Sequence, residues 1–160
     1  MSAWDEKLRA EIEDLYARYV ELLDEGPLEA WPALFESDAS YRIVTRENLQ
    51  RGLPLALLSC DGRAAIEDRI HAIANTSFTV PRRTRHLVSG LRAPEPADSA
   101  LRVEANFAVY ESLHQDPSQL HSVGRYRDRL ARDAEGRLRF CEKLCIVDGA
   151  LVPNSLVIPL

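Results

Sequence analysis

The sequence predicts an α+β fold in which N-terminal helices pack on a strongly curved, mainly antiparallel sheet. Up to residue 75, most apolar residues recur at the spacing of three and four that is typical of helices with one buried face. From Arg82 onward the apolar period changes to two, which indicates strands. The intervening turns are short, so consecutive strands should pair antiparallel, and a sheet of such long strands must twist and curl.

A helix is expected from about Trp4 to Asp24, because its apolar residues are spaced to form one stripe. That stripe consists of Leu8, Ile12, Leu15, Tyr16, Tyr19, Leu22 and Leu23. Gly26 and Pro27 should end this helix and begin the next, since Gly suits the position after a helix and Pro suits a first turn. The second helix is predicted to be short, from Leu28 to Phe35.

One strand separates these helices from a third helix. Residues 37–40 read as a turn, and the strand should begin at Tyr41 and end at the charged corner Arg46-Glu47-Asn48. The third helix is predicted at about 62–74, with Asp61 as its N-cap.

Four long strands are predicted in the second half of the chain. They span residues 83–92, 100–114, 120–132 and 137–149, with turns at 94–96, 115–117 and 133–136. Gly90 and Gly124 are candidate bending points. The apolar tail 151–160 contains two prolines, which predicts an extended segment lying against another surface. A curled sheet with a helical hairpin in its mouth is the cone of the NTF2-like fold, and we expect it to form a single domain over residues 1–160.

Composition excludes several classes of function. The 160 residues are 46% hydrophobic and 28% charged, and carry a formal net charge of -5 with a pI near 5.4. An acidic balance argues against nucleic-acid and anionic-membrane partners. Neither a secretory signal nor a membrane-spanning apolar stretch is evident, which predicts a cytoplasmic protein. Its three cysteines are then expected to be reduced thiols.

The pattern of cysteines and histidines does not predict a metal site. Cys141 and Cys145 fall on a predicted strand, where four residues of rise separate them by roughly 13 Å. The histidines lie on four different elements, at positions 71, 86, 114 and 121. The paired Cys-x-His and Cys-x-x-His motifs of a Rieske cluster and the clustered ligands of a mononuclear iron site are both missing from the sequence. We therefore expect neither a metal nor a cofactor to be bound by this chain.

His86 is the one candidate for acid–base chemistry. Thr84, His86 and Val88 share a strand face that could point into the cone, where Tyr41, Asp68 or Glu104 could be the partner of the imidazole. A hydrogen-bonded structural histidine explains the same pattern, and both interpretations remain open.

The neighbouring arginines are too few for a nucleic-acid surface and are divided between the two faces of the strand. Ion pairing at a surface or interface is therefore the favoured use.

Several short motifs resemble, in order and spacing, the small (β) subunits of Rieske-type aromatic-ring-hydroxylating dioxygenases. They are Leu34-Phe35, Tyr41-Arg42, Arg46-Glu47-Asn48, Gly52-Leu53-Pro54-Leu55, Asp68-Arg69, Arg83-x-Arg85-His86-x-x-Ser89, Gly124-Arg125-Tyr126-Arg127-Asp128 and the ending Asp148-x-x-x-Val152-Pro153-Asn154-Ser155-Leu156-Val157-Ile158-Pro159-Leu160. The ending and the Gly-Leu-Pro-Leu motif look most similar to small subunits of salicylate hydroxylases and terephthalate-type dioxygenases.

This resemblance implies a noncatalytic structural subunit that forms a trimer and supports three catalytic α subunits in an α3β3 oxygenase of aromatic catabolism. The Rieske [2Fe-2S] cluster and the mononuclear non-haem iron would belong to the α subunit, and the substrate would be an aromatic carboxylate. No catalytic residue is carried over to this chain. The expected interface residues are Arg46, Glu47, Asn48, Arg51, Arg83, Arg85, Pro153 and Asn154.

Two alternatives use the same cone. One is a stand-alone dehydratase, isomerase or cyclase in which His86 acts with a carboxylate or Tyr41, and the other is a small-ligand binding module. Both require an open pocket inside the cone.

Overall fold

The computed structural model describes residues 5–75, 82–149 and 158–160. The helices are α1 (Glu6–Asp24), a 3₁₀ helix (Leu28–Leu34), α2 (Arg46–Gln50) and α3 (Arg63–Asn75). The strands are β1 (Phe35–Thr45), β2 (Leu58–Asp61), β3 (Arg82–Ser89), β4 (Glu95–Ala97), β5 (Ala100–Leu113), β6 (Gln119–Arg132) and β7 (Leu138–Val147).

The described strands form one mixed, mainly antiparallel sheet. Its order is β2-β1-β7-β6-β5-β3, and β4 pairs with β5 beside this path. Only β1 and β7 run parallel among these pairs. Register shifts interrupt the β5–β6 and β6–β7 ladders, and such bulges bend a strand and increase its twist. The predicted fold class, helices packed on a mainly antiparallel sheet, is confirmed.

Helix α1 covers the inner face of this sheet and contacts β3 and β7. The side chain of Asp5 caps its first turn by accepting a hydrogen bond from the main-chain N–H of Lys7 at 3.2 Å. Its buried residues are Ile12, Leu15, Tyr16, Tyr19 and Leu23, which follow the predicted stripe. The helix therefore buries its apolar side against the strands and leaves its charges at the surface.

Large aromatic side chains fill the space between helix and sheet. Tyr19 lies 5.5 Å from Trp31 and 5.4 Å from Phe140, measured between ring centroids. Phe107 stacks on Tyr126 with centroids 4.5 Å apart. Because aromatic side chains bury the most apolar area per residue, this cluster accounts for much of the stability of the core.

The charged corner predicted at Arg46 forms the short helix α2, capped by the side chain of Thr45. Two local predictions were wrong. Residues 37–40 belong to β1 rather than to a turn, because Ser40 pairs with both β2 and β7 after a register shift and Ala39 is buried. Residues 95–97 lie in β4 and pair with the start of β5 instead of forming an open turn. Ser40 pairs with strands that are distant in sequence, whereas residues 95–97 form a tight hairpin with the start of β5, with the turn at 98–99.

Candidate functional site

The inner face of the sheet holds a buried histidine–aspartate pair. His86 Nδ1 lies 2.6 Å from Asp24 Oδ1, and both side chains are almost completely buried. The other carboxylate oxygen of Asp24 accepts the main-chain N–H of His86 at 2.8 Å, and the Thr84 hydroxyl donates to Oδ1 at 3.0 Å. Asp24, at the last residue of α1, thus fixes both the backbone and the ring of His86.

Burial acts to raise the pKa of Asp24. Hydrogen bonds from His86, the charge of His86 and the hydrogen bond from the Thr84 hydroxyl act to lower it, and together they outweigh burial. The pKa of Asp24 is therefore lowered from its usual value of 3.8. Asp24 was not among the partners of His86 named from the sequence, where it was only the end of the first predicted helix. The available signal was electrostatic, since a carboxylate in the last helical turn opposes the helix dipole and needs a compensating partner.

The three partners predicted for His86 do not contact it. The Tyr41 hydroxyl accepts the main-chain N–H of Leu160 at 2.9 Å. Asp68 is exposed on α3, and Glu104 pairs with Arg127 at 3.4 Å. Among the candidates named from the sequence, none contacts the imidazole in the described structure.

The last three residues of the sequence complete this buried site. Pro159 and Leu160 are buried, and the Pro159 carbonyl oxygen lies 3.1 Å from His86 Nε2. Both nitrogens of His86 therefore face oxygen atoms of other residues. The hollow beside this segment has a volume of about 10 Å³, which leaves room for at most one water molecule.

A second polar pair, Lys143 and Asp128, is completely buried in the core. Lys143 Nζ lies 2.8 Å from Asp128 Oδ2 and 3.1 Å from the ring centroid of Tyr126. The Tyr16 hydroxyl and the main-chain N–H of Leu144 also donate to Asp128. Burial raises the pKa of Asp128, and the Lys143 ammonium and these donors oppose the shift. The alternation Tyr126, Asp128, Leu130 could have predicted that Asp128 points inward.

The cysteines are free thiols. Burial raises the pKa of Cys145 to about 12, which keeps this thiol protonated at neutral pH. Burial also raises the pKa of Cys60 and of Cys141.

Within residues 5–75, 82–149 and 158–160, no group of three or more His, Cys, Asp or Glu side chains is arranged to hold a metal ion. None of the helices in this part of the chain is long and apolar enough to cross a membrane.

The residues expected at an interface lie in two exposed regions. Arg46 Nε donates to Asp148 at 2.9 Å and so joins α2 to the residue that follows β7. Arg51 pairs with Glu47 at 3.1 Å within the same short segment. The main-chain N–H of Asn48 donates to Thr45 Oγ1. The second region contains Arg83 and Arg85 of β3, which are exposed. Arg85 pairs with Glu25 at 2.7 Å. Pro153 and Asn154 lie outside the described residues.

Next to the arginines of β3, the outer face of the sheet carries exposed apolar side chains. We call these residues, Leu87, Tyr110, Leu120 and Val123, the outer patch; they are 40–54% exposed. They are contiguous because Leu87 and Val123 both pair with Ala108, while Tyr110 pairs with Leu120 and Arg85. An apolar cluster of this kind on a sheet face is typical of a protein–protein contact.

Asp24→Asn is expected to lower the free energy of unfolding at pH 7 by about 2 kcal/mol, the usual contribution of hydrogen bonds to a charged group. Because the pKa of Asp24 is lowered by folding, this stabilisation is present above pH 3.8 and is lost as the pH falls through the lower folded-state value. Urea titrations from pH 7 to pH 3 measure the difference.

Asp14→Asn, on the exposed side of the same helix, is the matched control and should leave stability unchanged within about 0.5 kcal/mol. An Asp24→Asn cost that is constant down to pH 3 would show that the carboxylate charge contributes nothing.

Comparison with known proteins identifies relatives over nearly the whole chain. The family model described as "Ring hydroxylating beta subunit" matches residues 18–154. The anthranilate 1,2-dioxygenase small subunit of Burkholderia cepacia is 31% identical over 156 residues, covering 98% of this chain and 96% of the relative. The beta 1 subunit of the terminal oxygenase component of terephthalate 1,2-dioxygenase from Comamonas sp. is 26% identical, with 90% and 93% covered.

A solved structure agrees with these matches. The crystal structure of a beta subunit assigned to an aromatic-ring-hydroxylating dioxygenase of Novosphingobium aromaticivorans superposes with a TM-score of 0.85. The two sequences are 27% identical, and the superposition covers 97% of this chain and 98% of the other.

Proposed function

Because the chain belongs to the family of ring hydroxylating beta subunits, we propose that it is the structural, noncatalytic subunit of an aromatic-ring-hydroxylating terminal oxygenase. Its partner is a catalytic α subunit, which holds the Rieske cluster and the mononuclear iron, and the assembly is an α3β3 hexamer in the cytoplasm. The observation that carries the proposal is the family match over residues 18–154. The predicted family resemblance is confirmed by this match.

We propose an aromatic carboxylate as the substrate of the complex. The relatives described above are subunits of enzymes named for anthranilate and terephthalate, which are both benzene rings bearing carboxylate groups. In this proposal the substrate pocket belongs to the α subunit, and the present chain supplies the surface on which that subunit is held.

The buried contacts of the inner face favour a structural role over the stand-alone enzyme. A catalytic His86 would need its Nε2 free to meet a substrate, whereas this nitrogen lies 3.1 Å from the Pro159 carbonyl oxygen. Tyr41, the other residue of that alternative, is bonded to Leu160. Both groups are thus already paired within the chain.

The outer patch is the surface that we propose to be buried in the complex. Its four side chains are apolar, and the neighbouring Arg83 and Arg85 can form planar hydrogen-bonded pairs with carboxylates of a partner. Permanent complexes bury large and comparatively apolar surfaces, with polar groups at the rim. The charged corner at α2 lies beside β7 and extends this surface.

Introducing charge into the outer patch should prevent assembly while leaving the fold intact. For Leu87→Glu combined with Val123→Glu, we expect at least a tenfold loss of complex at micromolar concentration, because two carboxylates would be desolvated without partners. Size-exclusion chromatography with light scattering measures the assembled fraction, and circular dichroism verifies the fold.

The matched control is Ala64→Glu, which adds a charge of the same kind at an exposed position of α3, away from the patch. It should assemble normally. Normal assembly of the Leu87→Glu, Val123→Glu variant would show that the outer patch is not part of the interface.

Coexpression with an aromatic-ring-hydroxylating α subunit of the same source tests the function. A tag on the present chain should retain a larger, brown, iron-containing protein, and the eluted complex should hydroxylate an aromatic carboxylate when a reductase and NADH are supplied. The chain expressed alone should give no product. Turnover by the chain alone, lost on His86→Ala, would instead establish the stand-alone enzyme.

A further inference from the structure

A second apolar surface lies where the chain passes from β1 into β2. Leu49 of α2 and Leu53, Leu55 and Leu57 of the segment that follows are 37–61% exposed, and we call these four residues the leucine loop. Two of them belong to the Gly-Leu-Pro-Leu motif of the sequence. The role proposed above assigns no function to this motif.

Main-chain hydrogen bonds fix the position of the leucine loop. The N–H of Leu53 donates to the carbonyl oxygen of Asn48 at 2.9 Å, and the N–H of Leu57 donates to that of Ile43 at 2.8 Å. The chain reverses at Gly52, whose φ of +62° suits glycine. A loop that is held by its backbone while its leucines face solvent loses little conformational entropy when another protein covers it.

The large exposed apolar side chains of the described residues fall into two groups, the leucine loop and the outer patch. In the sheet, β1 and β7 separate the strands of the outer patch from β2, into which the leucine loop leads. Single apolar side chains at a surface are normal, whereas clusters of them indicate contact with another protein. Two different surfaces on one chain are what a head-to-tail contact between identical subunits requires.

The charges beside the outer patch disfavour its pairing with itself. Arg83 and Arg85 are exposed on β3, and a two-fold contact would place the arginines of both copies at one interface. Arg82 and Arg85 are already paired with carboxylates, but among the described residues Arg83 is not. The outer patch therefore fits an apolar surface that carries a carboxylate at its rim.

The leucine loop has such a carboxylate. Glu47 lies two residues before Leu49, and its side chain is 60% exposed. It pairs with Arg51 at 3.1 Å, but both side chains of this pair are exposed, and such pairs contribute little stability. Glu47 can therefore pair with Arg83 of a second copy at small cost.

We propose that the leucine loop of one copy packs on the outer patch of the next, and that three such contacts close a head-to-tail ring. This inference rests on the trimer of the proposed function and names the surfaces that form it. Each copy uses one exposed apolar group toward each neighbour, and a closed ring leaves neither group uncovered. The partner that covers the outer patch is thus a second copy of this chain rather than the α subunit.

Two variants of the full chain, each expressed without an α subunit, provide the test. The loop variant is Leu55→Glu with Leu57→Glu, and the patch variant is Leu87→Glu with Val123→Glu. All four side chains are exposed, so both variants should fold, which circular dichroism verifies. Native mass spectrometry of the unmodified chain should give trimers. In each variant we expect at least a tenfold loss of trimer at micromolar concentration, because every contact in the ring would bury two unpaired carboxylates.

An equimolar mixture of the two variants makes the test specific to a head-to-tail contact. The loop variant retains an intact outer patch, and the patch variant retains an intact leucine loop, so one intact contact can form between them. With one variant labelled with ¹⁵N, we expect dimers that contain one copy of each variant, and no closed trimers. Ala64→Glu, the control described above, should remain trimeric.

Trimers of the loop variant, or a mixture that stays monomeric, would overturn the proposed contact and leave the oxygenase role intact. Monomers of the unmodified chain would overturn both the contact and the trimer on which it rests. Failure of a trimeric chain to retain the α subunit would contradict the oxygenase role alone.

Discussion

Lys143→Met will lower the free energy of unfolding by about 3–5 kcal/mol, the cost of leaving one member of a buried ion pair without its partner. Lys143 and Asp128 are both 0% exposed, and the ammonium lies 2.8 Å from the carboxylate among the rings of Tyr16, Tyr19, Tyr126 and Phe140. Methionine keeps much of the side-chain volume and removes the charge. Urea unfolding followed by circular dichroism at pH 7 measures the loss.

Asp128→Asn in addition to Lys143→Met should recover part of that stability, because no charge then remains buried. In Asp128 the two carboxylate oxygens accept separately from the Tyr16 hydroxyl and the Leu144 N–H. The amide oxygen of the introduced asparagine can accept from the Leu144 N–H, and its NH2 group can donate to the Tyr16 hydroxyl oxygen. We expect the double variant to be more stable than Lys143→Met alone. Lys7→Met, at an exposed lysine, is the control for loss of a lysine charge. Additive losses from the two core substitutions would show that the pair is not coupled.

Gly124→Ala is expected to destabilise the protein by about 3 kcal/mol or more and to reduce the yield of folded protein. A Cβ atom at this position would lie 1.9 Å from the main-chain oxygen of Ile146 and 3.0 Å from Cζ of Phe107. The obstacle is the backbone of β7, which can move only if the β6–β7 ladder separates. The yield of folded chain and its urea midpoint measure the effect.

Gly136→Ala is the matched control, since Gly136 lies in the turn that joins β6 to β7. Its φ of +78° makes alanine unfavourable by about 1–2 kcal/mol. Apart from its chain neighbours, no atom of the described residues lies within 4 Å of the added Cβ. We therefore expect a clearly smaller loss than for Gly124→Ala. Equal losses would mean that backbone conformation, and not the contact with Ile146, makes glycine necessary in β6.

The sequence was sufficient for features that depend on periodicity. The buried stripe of α1 and the long strands after residue 82 follow directly from apolar spacing, and the strand ends were predicted to within a few residues. Residues 37–40 were assigned wrongly because Ser and Asp favour turns locally, while pairing with β7 decides their conformation. Pairing between β1 and β7 joins segments that are about a hundred residues apart, and no local pattern reveals it.

In the candidate site, too, local patterns predicted the orientation of residues but not their long-range contacts. Alternation along β3 correctly placed His86 on the buried face, but its partner Asp24 comes from the end of a helix 62 residues away. Likewise, the contact of Leu160 with Tyr19 spans 141 residues, so the filling of the inner face could not be read from the sequence. Which residues face inward follows from local alternation, whereas which of them meet follows from the packing of the whole chain.

Native mass spectrometry of the chain coexpressed with its α subunit tests the central claim most directly. With the α subunit present, we expect an α3β3 hexamer that contains iron. Without it, we expect iron-free trimers of the present chain rather than monomers. A stable monomer that does not bind the coexpressed α subunit would contradict the proposed role.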